Sequence, residues 1–171
     1  MALAYVARFA ASAAKLDSYL KRKLRERGWA GEGDPGISAL VARFVQAGYI
    51  DDAAFARAKA GTMRRRGLGE RRVDQALGAA GIAPELREDV RAGEGAQRRA
   101  AVRFAVRRRI GPFGPVEFAR LDHAAREKQL AALLRAGHRL DHARAVAEAT
   151  DSLAAESWAA EADADDAAED Y

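Results

Sequence analysis

The chain contains no cysteine, only four prolines, and few aromatic residues. Without cysteine there is no disulfide framework, no thiolate metal site and no cysteine nucleophile. No apolar run approaches the ~20 residues that a membrane-spanning helix needs. The amino-terminal stretch MALAYVARFAASAAKL lacks the basic start and long apolar core of a secretory signal. Runs of β-branched and aromatic residues with a period of two are missing, which argues against a sheet. P-loop, nucleophile-elbow and zinc motifs are also missing. These absences point away from a secreted, membrane-embedded or catalytic protein, and the sequence predicts a cytoplasmic one with no cofactor and no metal.

Alanine, arginine, leucine and glutamate dominate instead, and all are strong helix formers. Charge is distributed unevenly. From Ala145 to Tyr171 there are nine acids and no Lys or Arg, so Met1 to Arg144 carries 29 bases against 16 acids, a net of +13. A basic body attracts polyanions and acidic protein surfaces. The acidic end, EADADDAAED, reads as a disordered solubilising tail over 158–171.

One pattern recurs: two apolar residues four apart, then a glycine four further on, then an apolar residue. It appears as Leu20, Leu24, Gly28, Trp29, as Leu40, Phe44, Gly48, Tyr49, and as Val73, Leu77, Gly81, Ile82. A weaker copy has Gln129, Leu133, Gly137 and His138. Four-residue spacing places these side chains on one helix face. The glycine accepts the left-handed conformation that closes a helix, and the next residue folds back on the last turn. By this reasoning Tyr49 and Ile50 return to the core, and Asp51 or Asp52 caps the following helix. The paired acids are read as a cap and not as a catalytic pair.

The spacing predicts helices over roughly 2–13, 15–27, 37–47, 52–66, 70–80, 84–92, 94–110, 117–136 and 141–157, with a break in the eighth near Leu121–Asp122. The Gly- and Pro-rich segments AGEGDPG and GPFGP are loops. The fold class is all-α. Nine short helices fit three tandem three-helix repeats, 1–50, 51–92 and 93–157, in an elongated, curved body.

Three basic groups stand out. Lys21, Arg22 and Arg25 lie on the second helix. Arg64, Arg65, Arg66, Arg71 and Arg72 flank Gly67-Leu68-Gly69, where Gly69 serves a turn between helices. That Gly-x-Gly is no dinucleotide loop, because no strand precedes it and a third glycine is absent. Arg99, Arg103 and Arg107 share one face of a later helix, with Val102, Val106 and Ile110 on another. One group per repeat would make a stripe suited to a filament or an extended nucleic acid. His138 and His142 have metal-compatible spacing, but a helix end lies between them and no third ligand is evident.

The segments GYIDDAAFARA and RRRGLGERRVDQALGAAGI, with YLKRKLRERGW upstream, resemble the RecX family of bacterial recombination regulators. The resemblance covers most of 1–147, and it is strong over 37–82. It departs from the family pattern at Ala76, where a glutamate is common, and at the looser Gly137-His138-Arg139-Leu140 turn. The resemblance implies an all-helical monomer of three repeats that binds RecA and the RecA–single-stranded DNA filament. It further implies inhibition of ATP hydrolysis and strand exchange, and so of recombination and the damage response. Direct contact with DNA stays open, and no membrane partner is expected. The alternative is a helical DNA-binding module that acts without RecA.

Overall fold

A computed structural model describes the backbone of residues 1–169 and side chains as far as residue 162. Among the described residues the protein is all-helical. Its helices are α1 (Ala2–Arg8), α2 (Ala13–Arg27), α3 (Ile37–Gln46), α4 (Asp52–Arg65), α5 (Glu70–Gly78), α6 (Pro84–Asp89), α7 (Glu94–Arg108), α8 (His123–Arg135), α9 (Leu140–Ala147) and α10 (Ser152–Glu169). Two 3₁₀ turns, Gly111–Phe113 and Phe118–Arg120, separate α7 from α8. Among the described residues no helix is long and apolar enough to cross a membrane.

Local chemistry sets the boundaries. The first helix ends at Arg8, well before residue 13, and Ser12 caps α2 with its hydroxyl accepting from Lys15 N. Asp122 makes the expected break before α8 and accepts from Ala125 N at 2.7 Å. The last helix of the sequence reading is two helices. Asp151 ends the gap between them by accepting from Ala154 N at 2.8 Å.

The second of these helices runs into the segment expected to be a disordered tail from 158. Its backbone is helical to Glu169, and Ala155, Ala159 and Ala162 are buried, with Trp158 packed beside the core. Their spacing of four and three residues makes one apolar stripe on a helix that composition alone marks as acidic and polar. Residues 170 and 171 lie outside the described residues.

The glycine endings have a common geometry. Tyr49 N donates to Phe44 O, Leu68 N to Met63 O, Ile82 N to Leu77 O and His138 N to Leu133 O. Gly48, Gly67, Gly81 and Gly137 have φ of 73°, 82°, 74° and 98° at these ends. This is the Schellman arrangement, which satisfies the last helical carbonyls. Gly28 departs from it. Its ψ of 167° takes the chain away from the helix, and Trp29 stands exposed instead of folding back. Tyr49 also differs from expectation: it is 58% exposed, resting on Phe44, and Ile50 alone enters the core.

By contact the chain falls into two compact units, each discontinuous: 1–59 with 76–90, and 60–75 with 91–171. In the first, Leu16, Leu20, Val41 and Ile50 form a core with Tyr5, Tyr19 and Phe44 packed against it. Ser12 donates its hydroxyl to Ala80 O at 2.5 Å, which joins the start of α2 to the end of α5. In the second, Leu133, Val146, Val102 and Ile110 pack with six buried alanines, flanked by Phe104, Phe113 and Trp158. Full burial of a leucine such as Leu133 contributes about 1.5–3 kcal/mol. The alanines contribute less area, but they let backbones approach closely.

Candidate partner-binding surface

The arginine turn begins where α4 ends. Gly67 N donates to Arg64 O, Leu68 N reaches back to Met63 O, and the chain reverses into α5 at Glu70. A Cβ on Gly67 would meet Phe104 N at 2.7 Å, so only glycine lets the turn lie against α7. His138 fastens it from the other side. Its Nε2 lies 3.0 Å from Gly67 O, and a carbonyl partner requires that nitrogen to carry the proton. Burial pushes His138 below the ordinary histidine range, partly offset by this hydrogen bond.

The five arginines of the turn have separate fates. Arg64 donates from Nε and Nη2 to the two carboxylate oxygens of Glu70, at 2.6 and 2.8 Å. The side chains are only 17% and 15% exposed, so this bidentate pair belongs to the framework of the turn. Arg71 donates to Leu134 O at 2.6 Å, at the end of α8. Arg72 makes a long contact to Gln75. Arg65 and Arg66 are exposed, and Arg65 donates to Thr62 Oγ1 at 3.0 Å. The repulsion expected of five clustered guanidinium groups is thus reduced locally, chiefly by Glu70 and the Leu134 carbonyl.

Two of the sequence-predicted basic groups meet here. Arg107 of α7 donates to Arg65 O at 3.3 Å, and Gly67 lies against the Arg103–Phe104 backbone. Arg103 and Arg107 are exposed beside the turn, whereas Arg99 is half-buried. Arg99 and Arg103 line a groove of about 270 Å³ that Glu156 of α10 shares. Val106, expected on the apolar face of α7, is 48% exposed, because the helix buries its alanines and Val102 instead.

The third group sits in the other unit. Lys21 pairs with Asp17 at 2.8 Å, and Arg22 lies 3.7 Å from Glu26 and over the Tyr19 ring. Lys15, Arg22 and Arg25 line an open groove of about 610 Å³ with the stacked pair Tyr5 and Tyr19.

Both acids of the Gly48 turn are engaged. Asp51 caps α4 by accepting from Ala54 N at 2.8 Å. Asp52 accepts from Ala13 N at 2.9 Å and holds the first turn of α2. Glu26, by its hydrogen bond from Lys23, is held below the usual carboxylate range.

Residues 51–90 match the family described as RecX, second three-helix domain. A relative from Myxococcus xanthus (strain DK1622), the regulatory protein RecX, is 33% identical over 144 residues, spanning 80% of this chain and 76% of its own. The chain belongs to the RecX family. It is a regulatory protein of that family, and the matched stretch contains the whole arginine turn. The α7 arginines lie beyond that stretch.

Several groups around this RecX surface carry no strong sequence signal. Glu70, six residues from Arg64, is one. Glu94 is another. Burial would raise its carboxyl, but a hydrogen bond from Arg98 and the charge and hydrogen bond of His142 hold it below its ordinary value. His142 Nε2 stands 2.9 Å from Glu94 Oε1, so His138 and His142 serve different partners. Among the described residues no group of three His, Asp or Glu side chains could hold a metal. Arg108, Arg109 and Lys128 adjoin Arg107 around a further groove. The run of three arginines was visible in the sequence, but the turn that gathers them with Lys128 was not.

Proposed function

We propose that the protein binds RecA and the RecA–single-stranded DNA filament and inhibits its ATP hydrolysis and strand exchange, thereby modulating recombination and repair. Membership of the RecX family carries this reading. The exposed arginines support it as a contact surface: Arg65, Arg66, Arg103 and Arg107 in one unit, with Lys21, Arg22 and Arg25 in the other. An anionic partner would relieve what repulsion the local pairs leave. The three tandem repeats, 1–50, 51–92 and 93–157, stay the proposed division of the chain. The proposed state is a monomer.

RecA-dependent ATP hydrolysis on single-stranded DNA, measured with and without the protein, tests the reading. The expected result is inhibition below one protein per RecA. Unchanged hydrolysis and strand exchange at equimolar protein would remove RecA from the assignment. Tight binding to naked DNA would then favour a DNA-binding module acting alone.

A further inference from the structure

At the carboxyl end of α7, Arg107, Arg108 and Arg109 meet Lys128 and Gln129 of α8 around an open groove of about 450 Å³, with Ile110 in its lining. Among the described residues no acidic side chain lines it. The helix end is an ordinary reason for cations to gather, since it carries about half a negative charge. Four full positive charges exceed that. The last carbonyls are also already occupied: Ile110 N donates to Ala105 O at 2.9 Å, and Arg109 N to Val106 O at 3.3 Å.

The backbone supplies a second, independent observation. This helix end has the same hydrogen-bond pattern as those at Gly48, Gly67, Gly81 and Gly137. In the glycine's place stands Arg109, at φ 53° and ψ 52°, the one non-glycine residue with positive φ among those described. Left-handed backbone disfavours any side chain relative to glycine. An arginine nevertheless occupies this position, beside three other cations.

We propose that this groove receives a chain of adjacent phosphate groups. Guanidinium forks match phosphate oxygens in bidentate fashion, and lysine adds a point charge. Gln129 accepts from Gly111 N at 2.9 Å through its carbonyl oxygen, which leaves its amide NH₂ to donate. The polar side chains of the lining therefore offer donors and positive charge. That suits a fully ionised, closely spaced polyanion. The chemistry fits either a linear oligophosphate or the phosphodiester backbone of a nucleic acid. The proposal does not depend on RecA.

Calorimetric titration of the full chain with inorganic tripolyphosphate at low salt tests it, using Arg109→Gly and Lys128→Gln. Arg109→Gly restores the preferred residue, so its melting temperature should hold or rise while affinity falls about tenfold or more, the loss of one charge-assisted contact. Lys128→Gln should weaken binding similarly. If a single-stranded oligonucleotide displaces tripolyphosphate, the natural source is a phosphodiester backbone; if it does not, the source is a free oligophosphate. Three results would overturn the proposal: no binding by the parent chain, parental affinity in both variants, or equally tight binding of poly-glutamate with the same loss in Arg109→Gly.

Discussion

Gly69 lies flat against Gly137. A Cβ on Gly69 would stand 2.4 Å from the Gly137 carbonyl carbon, and one on Gly137 would stand 2.6 Å from Arg72 N. Gly69 N donates to Ala136 O at 3.0 Å and Arg71 N to Gly137 O at 3.3 Å, so backbone hydrogen bonds join the arginine turn to the end of α8, beside the side-chain bonds of Arg71 and His138. Gly69→Ala should therefore cost about 1–3 kcal/mol or more through overpacking. Gly48→Ala meets nothing within 4 Å and pays only for its φ of 73°, about 1 kcal/mol. Thermal or urea denaturation of the two variants should rank them in that order.

The two acids of the Gly48 turn should both matter to stability. Asp51→Ala removes the α4 cap and should cost roughly 0.5–2 kcal/mol. Asp52→Ala removes the acceptor for Ala13 N and should cost a comparable amount, about 1 kcal/mol. Equal stability of Asp52→Ala and the parent in urea would show that the Ala13 contact contributes nothing.

Stability should fall in mild acid. His138 has a depressed pKa in the folded state, so its contribution is complete above its ordinary value of 6.5. As pH drops through that value, the unfolded chain takes up a proton that the buried ring does not, and the loss continues down to the folded pKa. Melting temperature should decline between pH 7.5 and 5.5, and His138→Gln should flatten that decline. At lower pH Glu94, whose pKa is also depressed, adds a further loss as pH falls through its ordinary value of 4.5. A parallel decline in parent and variant would assign the effect to other groups.

The arginine turn should separate into framework and surface. Arg64→Gln breaks the paired forks to Glu70 and should lower the melting temperature. The double change Arg65→Gln and Arg66→Gln should leave the melting temperature and helical content unaltered, since glutamine is a comparable helix former. It should raise the protein concentration needed to inhibit RecA. Undiminished inhibition by the double variant would place the contact on other residues.

Features set by neighbours in sequence were legible, and those set by distant pairs were not. The helix endings at Gly48, Gly81 and Gly137 are local in cause, so spacing was enough to find them. Gly67 has the same ending without the full spacing, because Lys59 stands where the first apolar residue of the pattern would be. The role of Gly69 depends on Gly137, and that of Asp52 on Ala13, partners no spacing rule connects. The stripe Ala155, Ala159, Ala162 was readable but small, and the acids between its members masked it. Arg64 looked like its four neighbours in the sequence; only Glu70 distinguishes it.

The interleaving of the two units also governs where the chain can be cut. Residues 60–75 interrupt the first unit and belong to the second. During synthesis the first unit stays incomplete until residue 90 has emerged, because Leu77, Ala80 and Ile82 arrive after the segment that divides it. No contiguous fragment contains either unit whole without carrying part of the other. A fragment ending at residue 59 loses the Ala80 carbonyl that Ser12 needs, and one beginning at residue 91 loses the arginine turn that His138 holds. Limited proteolysis should therefore yield no stable half, and a nick within 60–75 should disturb both.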